Sequence, residues 1–93
     1  MNFDWDPSKQ GKVLAERGID FADAVTIFAG PVLVKTDTRQ DYGEVRMIAI
    51  GQMNEVFVTV VDTDRGDTRW IITAWPANRK ERAEWQRSHL KKP

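Results

Sequence analysis

The sequence predicts an α+β domain in which two N-terminal helices pack on a four-stranded antiparallel sheet and a third helix follows at the C-terminus. Apolar residues recur with a helical period before Gly30 and with a period of two after it. Polar segments that each contain a glycine separate the β-type runs, which is the pattern of strands joined by hairpins. The chain of 93 residues has the length of one domain, so we treat 1–93 as a single unit.

The first helix is predicted from Pro7 to about Arg17. Asp6 is a favourable N-cap, and proline fits the first turn because its missing N–H has no helical partner there. Gly18 suits the left-handed position that ends many helices. Residues 2–5, which precede this helix, form either a short strand or an extended arm.

The second helix is predicted to begin at Asp20 and to end before Gly30. Its apolar residues fall at helical spacing and make one stripe, which we expect to dock on the sheet. The stripe consists of Phe21, Ala24, Val25 and Phe28.

Four strands are predicted after Pro31 as an antiparallel meander with the helices on one face. The third of them is apolar on both faces, which places it in the centre of the sheet. Gly66 is the residue expected to take a positive φ in the last hairpin loop, and Pro76 ends the fourth strand. The predicted strands are 32–36, 45–50, 56–61 and 69–75, and the connections are 37–44, 51–54 and 62–67.

The last helix is predicted from a capping box, with Asn78 as the cap and Glu81 three residues later. We expect it to continue to about Leu90. Its basic residues give the end of the chain a positive character.

Composition excludes several classes of protein. The 14 basic and 14 acidic residues give a net charge of zero, so the whole chain is not attracted to nucleic acid. The absence of cysteine excludes disulfides and thiolate metal sites, and a single histidine excludes a histidine-rich metal site. We therefore expect no metal and no cofactor. No signal peptide and no run of about 20 apolar residues is present, which predicts a cytoplasmic protein without a membrane span.

Four segments in order carry a resemblance to a known family: "FDWDPSK", "RGIDFADAVTIFAGP", "DYGEVRMIAIG" and "VVDTDRGDTRWIITAWPANRKER". Together they resemble the BrnT toxins, the ribonuclease halves of type II toxin–antitoxin pairs, from Phe3 to about Arg82. The resemblance implies a RelE-like fold and metal-independent cleavage of RNA that blocks translation. It also implies a BrnA-like antitoxin, through which alone the complex contacts operator DNA.

Three arginines match the pattern of the family and are the expected catalytic residues: Arg46, Arg65 and Arg69. The planar guanidinium fork binds two phosphate oxygens at once, so we expect the three to line one concave face and hold an RNA phosphate. Alternatively they are solvated residues that form weak ion pairs with nearby carboxylates.

Other candidates surround these arginines. Glu44 is the candidate general base. It shares a face with Arg46 if both residues lie in a strand. Alternatively, Glu44 only forms an ion pair with Arg46. Tyr42 either orients the substrate or packs in its loop. Histidine is the residue type whose ordinary pKa lies near neutrality, but the single histidine, His89, lies outside the family motifs, which speaks against a catalytic role. The expected RNA contacts are Arg17, Arg79, Arg82 and Trp75.

The last strand departs from the family, which commonly reads Arg-Arg-Ile-Ile-Ser-Ala-Arg-Lys-Ala where residues 69–77 read "RWIITAWPA". Trp70 and Trp75 replace arginines, and Pro76 replaces a lysine. Strand alternation places Trp75 on the face of Arg69. The ring then stacks on a base, marks a lost cationic group, or covers the edge of the core or an antitoxin contact. Trp70 is expected on the opposite face, with Phe57 or under the helices.

Three functional hypotheses follow. The first is a BrnT-like endoribonuclease toxin neutralised by its antitoxin. The second is a catalytically weakened relative that is kept as a partner of the antitoxin in operon repression. The third is a structural α+β module that shares only the fold.

Overall fold

The computed structural model describes residues 1–89 and shows an α+β fold with a five-stranded mixed sheet in the order β1-β5-β4-β3-β2. The predicted fold class is confirmed, and the predicted end of the last helix near Leu90 lies outside the described residues. The elements are β1 (Asn2–Trp5), α1 (Pro7–Arg17), α2 (Phe21–Ala24), a 3₁₀ helix (Val25–Ala29), β2 (Val32–Thr36), β3 (Met47–Met53), β4 (Val56–Arg65), β5 (Thr68–Pro76) and α3 (Arg79–His89).

The prediction of a four-stranded, purely antiparallel sheet was wrong because the N-terminal segment forms a fifth strand. β1 pairs with β5 in parallel, from Asn2 opposite Thr68 to Trp5 opposite Ile71. A strand of four residues is too short for a periodic signal, and its partner lies at the other end of the chain. The pairing of β1 with β5 therefore could not be read from the local sequence, because it depends on residues far apart in the chain.

The predicted caps of the first helix are confirmed. The Asp6 carboxylate accepts a hydrogen bond from the Ser8 N–H at 2.9 Å, and Gly18 ends α1 with a φ of 70°. Asp20 caps the second helix in the same way through the Ala22 N–H. This helix makes one α-helical turn and continues as the 3₁₀ helix, which carries the rest of the predicted apolar stripe.

The second predicted strand is shifted along the chain. β3 begins at Met47, and Val45 lies outside it with 69% of its surface exposed. The strand continues through Gly51, which was predicted in a turn, and the chain reverses at Asn54, whose φ is 58°. Gly51 is needed inside the sheet because a Cβ atom there would lie 2.8 Å from the Cβ of Ile27.

The last hairpin is tighter than predicted. β4 continues to Arg65, which pairs with Thr68, so the predicted six-residue loop is reduced to a turn at Gly66 and Asp67. Gly66 has the predicted positive φ, at 61°. Further along, Val61 pairs with Thr73 but Asp62 pairs with Ile71, so β5 contains an extra residue. Beyond this bulge, each side chain of β5 lies on the face opposite to the one that unbroken alternation along the strand predicts.

The sheet buries a hydrophobic cluster on each face, and this corrects the expectation that all helices lie on one side. Strand alternation assigns the two clusters to opposite faces. The N-helix face packs against α1, α2 and the 3₁₀ helix through Val13, Ile19, Phe21, Ala24, Ile27, Ala49, Val58, Val60, Ile71 and Ala74. The C-helix face packs against α3 through Ile48, Ile50, Val61 and Trp85.

Candidate functional site

Two of the three predicted arginines meet at Glu44. The Nε of Arg46 lies 3.1 Å from Oε2 of Glu44, and Nη2 of Arg65 lies 3.7 Å from Oε1. Glu44 lies in the connection before β3, as predicted, and Arg46 lies there too, and not in the strand in which we expected it. Hydrogen bonds from the Asp37 N–H to the Arg46 carbonyl and from the Thr63 hydroxyl to the Val45 carbonyl hold this connection on the sheet.

Each of these two arginines also rests on an aromatic ring. The Cζ atom of Arg46 lies 4.0 Å from the centre of the Tyr42 ring, and that of Arg65 lies 4.7 Å from Trp70. A guanidinium over a ring face gains cation–π attraction, which orients the side chain without using its N–H donors. Trp70 therefore supports Arg65. It does not pack with Phe57, whose ring lies against Trp85.

Arg69 lies on the opposite face of the sheet, so the prediction that all three arginines line one face was wrong. Arg69 pairs with Asp64 and Arg65 pairs with Thr68, and consecutive residues of a strand point to opposite faces. The Nε of Arg69 lies 3.0 Å from Asp64 and 3.6 Å from Asp62, and its Cζ atom lies 5.0 Å from the ring centre of Phe28.

Asp62 is a buried carboxyl group that the sequence did not identify. Only 2% of the residue is exposed, and this burial raises its pKa to about 6. The charge of Arg69 acts in the opposite direction, and the neighbouring Asp64 adds to the rise. Because the sequence predicted Asp62 in the loop 62–67, whereas it lies in β4, no local signal marked it as buried.

Trp75 lies on the C-helix face, and not on the face of Arg69 as predicted. The bulge before Thr73 shifts the alternation, so Trp75 pairs with Thr59 and packs beside the cluster around Trp85. Its indole N–H donates to both carboxylate oxygens of Glu81, at 3.1 and 3.2 Å. This placement agrees with the hypothesis that the ring covers the edge of the core. The hypotheses of base stacking and of a lost charge stay predictions.

A further arginine of this face was not predicted. The Cζ atom of Arg39 lies 5.5 Å from the ring centre of Trp75, and its Nε and Nη2 donate to the carboxylate of Asp37 at 2.8 and 2.7 Å. This guanidinium lowers the pKa of Asp37 to about 2. The Asp-x-Arg spacing was the only sequence signal, and it is too common to indicate a site.

The other candidates are spread over the molecule. Arg17 donates to the Thr73 hydroxyl at 3.0 Å and to the Ala74 carbonyl at 2.9 Å, so it binds the edge of β5 beyond the end of β1. Arg79 and Arg82 are exposed in the first turn of α3, and within residues 1–89 neither forms an ion pair. His89 stacks on the buried Trp85 at 4.9 Å.

The C-helix face also contains a groove of about 330 Å³ between α3 and the strands. It is lined by Lys35, Thr36, Asp37, Thr38, Arg39, Ile48, Trp75, Asn78, Lys80, Glu81 and Glu84. Among the described residues, no three His, Cys, Asp or Glu side chains are grouped as metal ligands would be. Over the same residues, no helix has the length and apolar character needed to cross a membrane.

Comparison with known proteins identifies the family. Among curated proteins, no sequence matches this chain. The sequence profile of the family described as "Ribonuclease toxin, BrnT, of type II toxin-antitoxin system" matches residues 5–81, which span the elements from the end of β1 to the first turn of α3. Because this match covers most of the chain, the chain belongs to the BrnT family of ribonuclease toxins of type II toxin–antitoxin systems.

Proposed function

We propose that the chain is a metal-independent endoribonuclease whose reaction takes place at the cluster of Glu44, Arg46 and Arg65. The observation that carries this proposal is the convergence of both guanidinium groups on one carboxylate, at 3.1 and 3.7 Å. Family membership provides the reaction class, since a ribonuclease toxin acts on RNA. Within the described residues, this cluster combines a candidate base with two phosphate-binding groups.

The chemistry of metal-free RNA cleavage matches these residue types. A base removes the proton of the 2′-OH, and the 2′-oxygen then bonds to phosphorus while the bond from phosphorus to the 5′-oxygen breaks. The leaving 5′-oxygen takes up a proton from solvent, and cations stabilise the charge that develops on the phosphate. Glu44 is the candidate base. Arg65 is held at 3.7 Å from Glu44, which is beyond a hydrogen bond, and 52% of its side chain is exposed, so its N–H groups can reach a phosphate. Arg46, which is closer to Glu44, orients the carboxylate and contributes a second positive charge.

A type II toxin has a cognate antitoxin, and we propose that a BrnA-like protein inhibits this chain by covering the C-helix face. Such a partner would place acidic groups over Arg46 and Arg65 and keep RNA from Glu44. Operator DNA would be contacted through the antitoxin alone. Because cleavage of RNA stops growth by blocking translation, we place the toxin in the cytoplasm.

A cleavage assay tests the activity. The purified chain, freed of any partner, is incubated with RNA in EDTA beside Arg65→Ala and beside Lys12→Gln, which removes one exposed positive charge from α1 on the other face. We expect cleavage by the wild type and by Lys12→Gln, and a loss of at least about tenfold for Arg65→Ala. Equal cleavage by Arg65→Ala would refute the placement of the site.

A second function is favoured by one observation. Trp75, where the family commonly has an arginine, is half-buried and its N–H is bound by Glu81, so it offers no cation to RNA. A folded wild-type chain that does not cleave RNA would therefore indicate the catalytically weakened relative, which binds its antitoxin and represses the operon.

A further inference from the structure

Arg39 is held firmly by a buried carboxylate and yet faces solvent. The side chain of Asp37 is 0% exposed, whereas that of Arg39 is 57% exposed. Asp37 accepts from Nε and Nη2 of Arg39, and also from its backbone N–H at 3.2 Å. A guanidinium has five N–H donors in a rigid fork, so these contacts leave donors on the solvent side. The arginine is thus oriented while it can still bind another group.

The ring beside Arg39 is fixed as well. Both oxygens of the Glu81 carboxylate accept the indole N–H of Trp75, and Glu81 also accepts the Asn78 N–H at 2.9 Å as part of the cap of α3. The ring and the guanidinium are therefore set by two separate carboxylates. The groove of about 330 Å³ that both residues line lies next to them.

Arg39 also lies close in structure to the cluster at Glu44. The Asp37 N–H donates a hydrogen bond to the Arg46 carbonyl at 2.8 Å. Asp37 orients Arg39 and Arg46 contacts Glu44, so this hydrogen bond links the two sites. Trp75 shares the C-helix face with Trp70, on which Arg65 rests. A nucleic-acid strand that crosses this face would meet the two sites in succession.

We propose that Arg39 and Trp75 form a second RNA subsite, in which Arg39 binds a phosphate that flanks the cleaved bond and the groove beside Trp75 accepts the adjoining base. This rests on the proposed function, because the subsite extends the same RNA path. Single-stranded nucleic acid is recognised by this combination of a cation for the backbone and an aromatic ring for the base. Asp37 is a positioning residue, since it acts through Arg39.

The competing explanation is that Arg39 serves only to pair with the buried Asp37. Salt dependence separates the two, because a phosphate contact releases counterions whereas an internal ion pair does not. The probe is a single-stranded 2′-O-methyl RNA, which lacks the 2′-OH needed for cleavage. Its Kd is measured by fluorescence anisotropy at several salt concentrations for the wild type, Arg39→Gln and Lys12→Gln.

We expect Arg39→Gln to weaken binding about tenfold and to reduce the slope of log Kd against log salt by about 0.7. Lys12→Gln should bind as the wild type does. With cleavable RNA, Arg39→Gln should raise KM more than it lowers kcat. Because Arg39→Gln leaves Asp37 unpaired, the double variant Asp37→Asn/Arg39→Gln provides a second test in which no buried charge remains. We expect it to bind as weakly as Arg39→Gln, and Asp37→Asn alone to bind more tightly than either.

Unchanged affinity and salt slope in both Arg39 variants would overturn the subsite. If the wild type still cleaves RNA in a manner that depends on Arg65, only the subsite is refuted. If the wild type neither binds the 2′-O-methyl RNA nor cleaves RNA, the proposed function and the subsite both fail.

Discussion

The Nε atom of Arg69 lies 3.6 Å from the carboxylate of Asp62, on the face of the sheet that carries the N-terminal helices. Asp62 is 2% exposed and Arg69 forms its ion pair at the end of the hairpin. The third arginine of the family pattern therefore lies between the buried carboxylate of Asp62 and the nearer, exposed carboxylate of Asp64, on the other side of the sheet from the cluster of Glu44, Arg46 and Arg65.

Replacing Arg69 with alanine should lower stability and leave cleavage by the folded protein unchanged. The change removes the cation beside a buried carboxylate, and we expect a loss of about 1–3 kcal/mol in the free energy of unfolding at pH 7.5. The measurement is urea denaturation together with the cleavage rate per folded molecule. The double variant Asp62→Asn/Arg69→Ala should recover part of the loss. Abolished cleavage at unchanged stability would instead place Arg69 in the reaction.

Replacing Asp62 with asparagine should stabilise the protein increasingly as the pH rises from 4 to 7. The pKa of Asp62 is raised from 3.8 to about 6, so between these values the folded state binds more protons than the unfolded state and the wild type loses stability with rising pH. A shift of this size corresponds to a cost on the order of 3 kcal/mol at pH 7.5. Asparagine removes that cost.

The stability difference between Asp62→Asn and the wild type is measured by urea denaturation at pH 4.5 and pH 7.5. The exposed Asp67→Asn, in the turn of the hairpin, is the matched control for the removal of a carboxylate that is not buried. A difference for Asp62→Asn that is the same at both pH values would contradict the raised pKa.

Gly51→Ala should destabilise the fold by about 1–3 kcal/mol, because the new methyl group would overlap the buried Ile27 side chain in a packed core. The new Cβ atom would lie 2.8 Å from the Cβ of Ile27 and 3.5 Å from the backbone carbonyl oxygen of Pro31. Gly11→Ala is the control, since a Cβ atom at Gly11 would have no neighbour within 4 Å in the part of the chain that the structure describes.

In the middle of α1, alanine should stabilise the protein by about 0.5–1 kcal/mol relative to glycine. Thermal denaturation of both variants therefore tests the sign as well as the size of the effect. Equal melting temperatures for Gly51→Ala and the wild type would show that the 3₁₀ helix can move away from β3.

Thr59→Val should maintain or raise stability. The Thr59 hydroxyl is buried and has no hydrogen-bond partner within residues 1–89, and the residue is 0% exposed between Ile50 and Trp75 in the sheet. Valine has nearly the same shape and avoids the cost of burying an unpaired hydroxyl, which is about 1–3 kcal/mol. Thermal and urea denaturation check the prediction, and a clear decrease in stability would mean that the hydroxyl has a partner in solution.

Local signals in the sequence were sufficient for much of the fold. Asp6 and Asn78 cap helices as predicted, and Gly18 and Gly66 take the positive φ angles expected of them. These features depend on hydrogen bonds and steric limits within a few residues, which the order of residues determines directly. The family was also recognisable, since its four segments occur in order along the chain.

Which residues meet was decided only by the tertiary structure. Because of the bulge before Thr73, Trp75 lies on the face opposite Arg69. No local pattern in the sequence predicts an extra residue in one strand of a pair. The pairing of β1 with β5 and the burial of Asp62 likewise depend on distant residues. The sequence by itself determined the helices, most of the strands and the family. The register of the strands determined on which face of the sheet each side chain lies, and burial determined the pKa of Asp62. Both arise only when remote segments of the chain pack together.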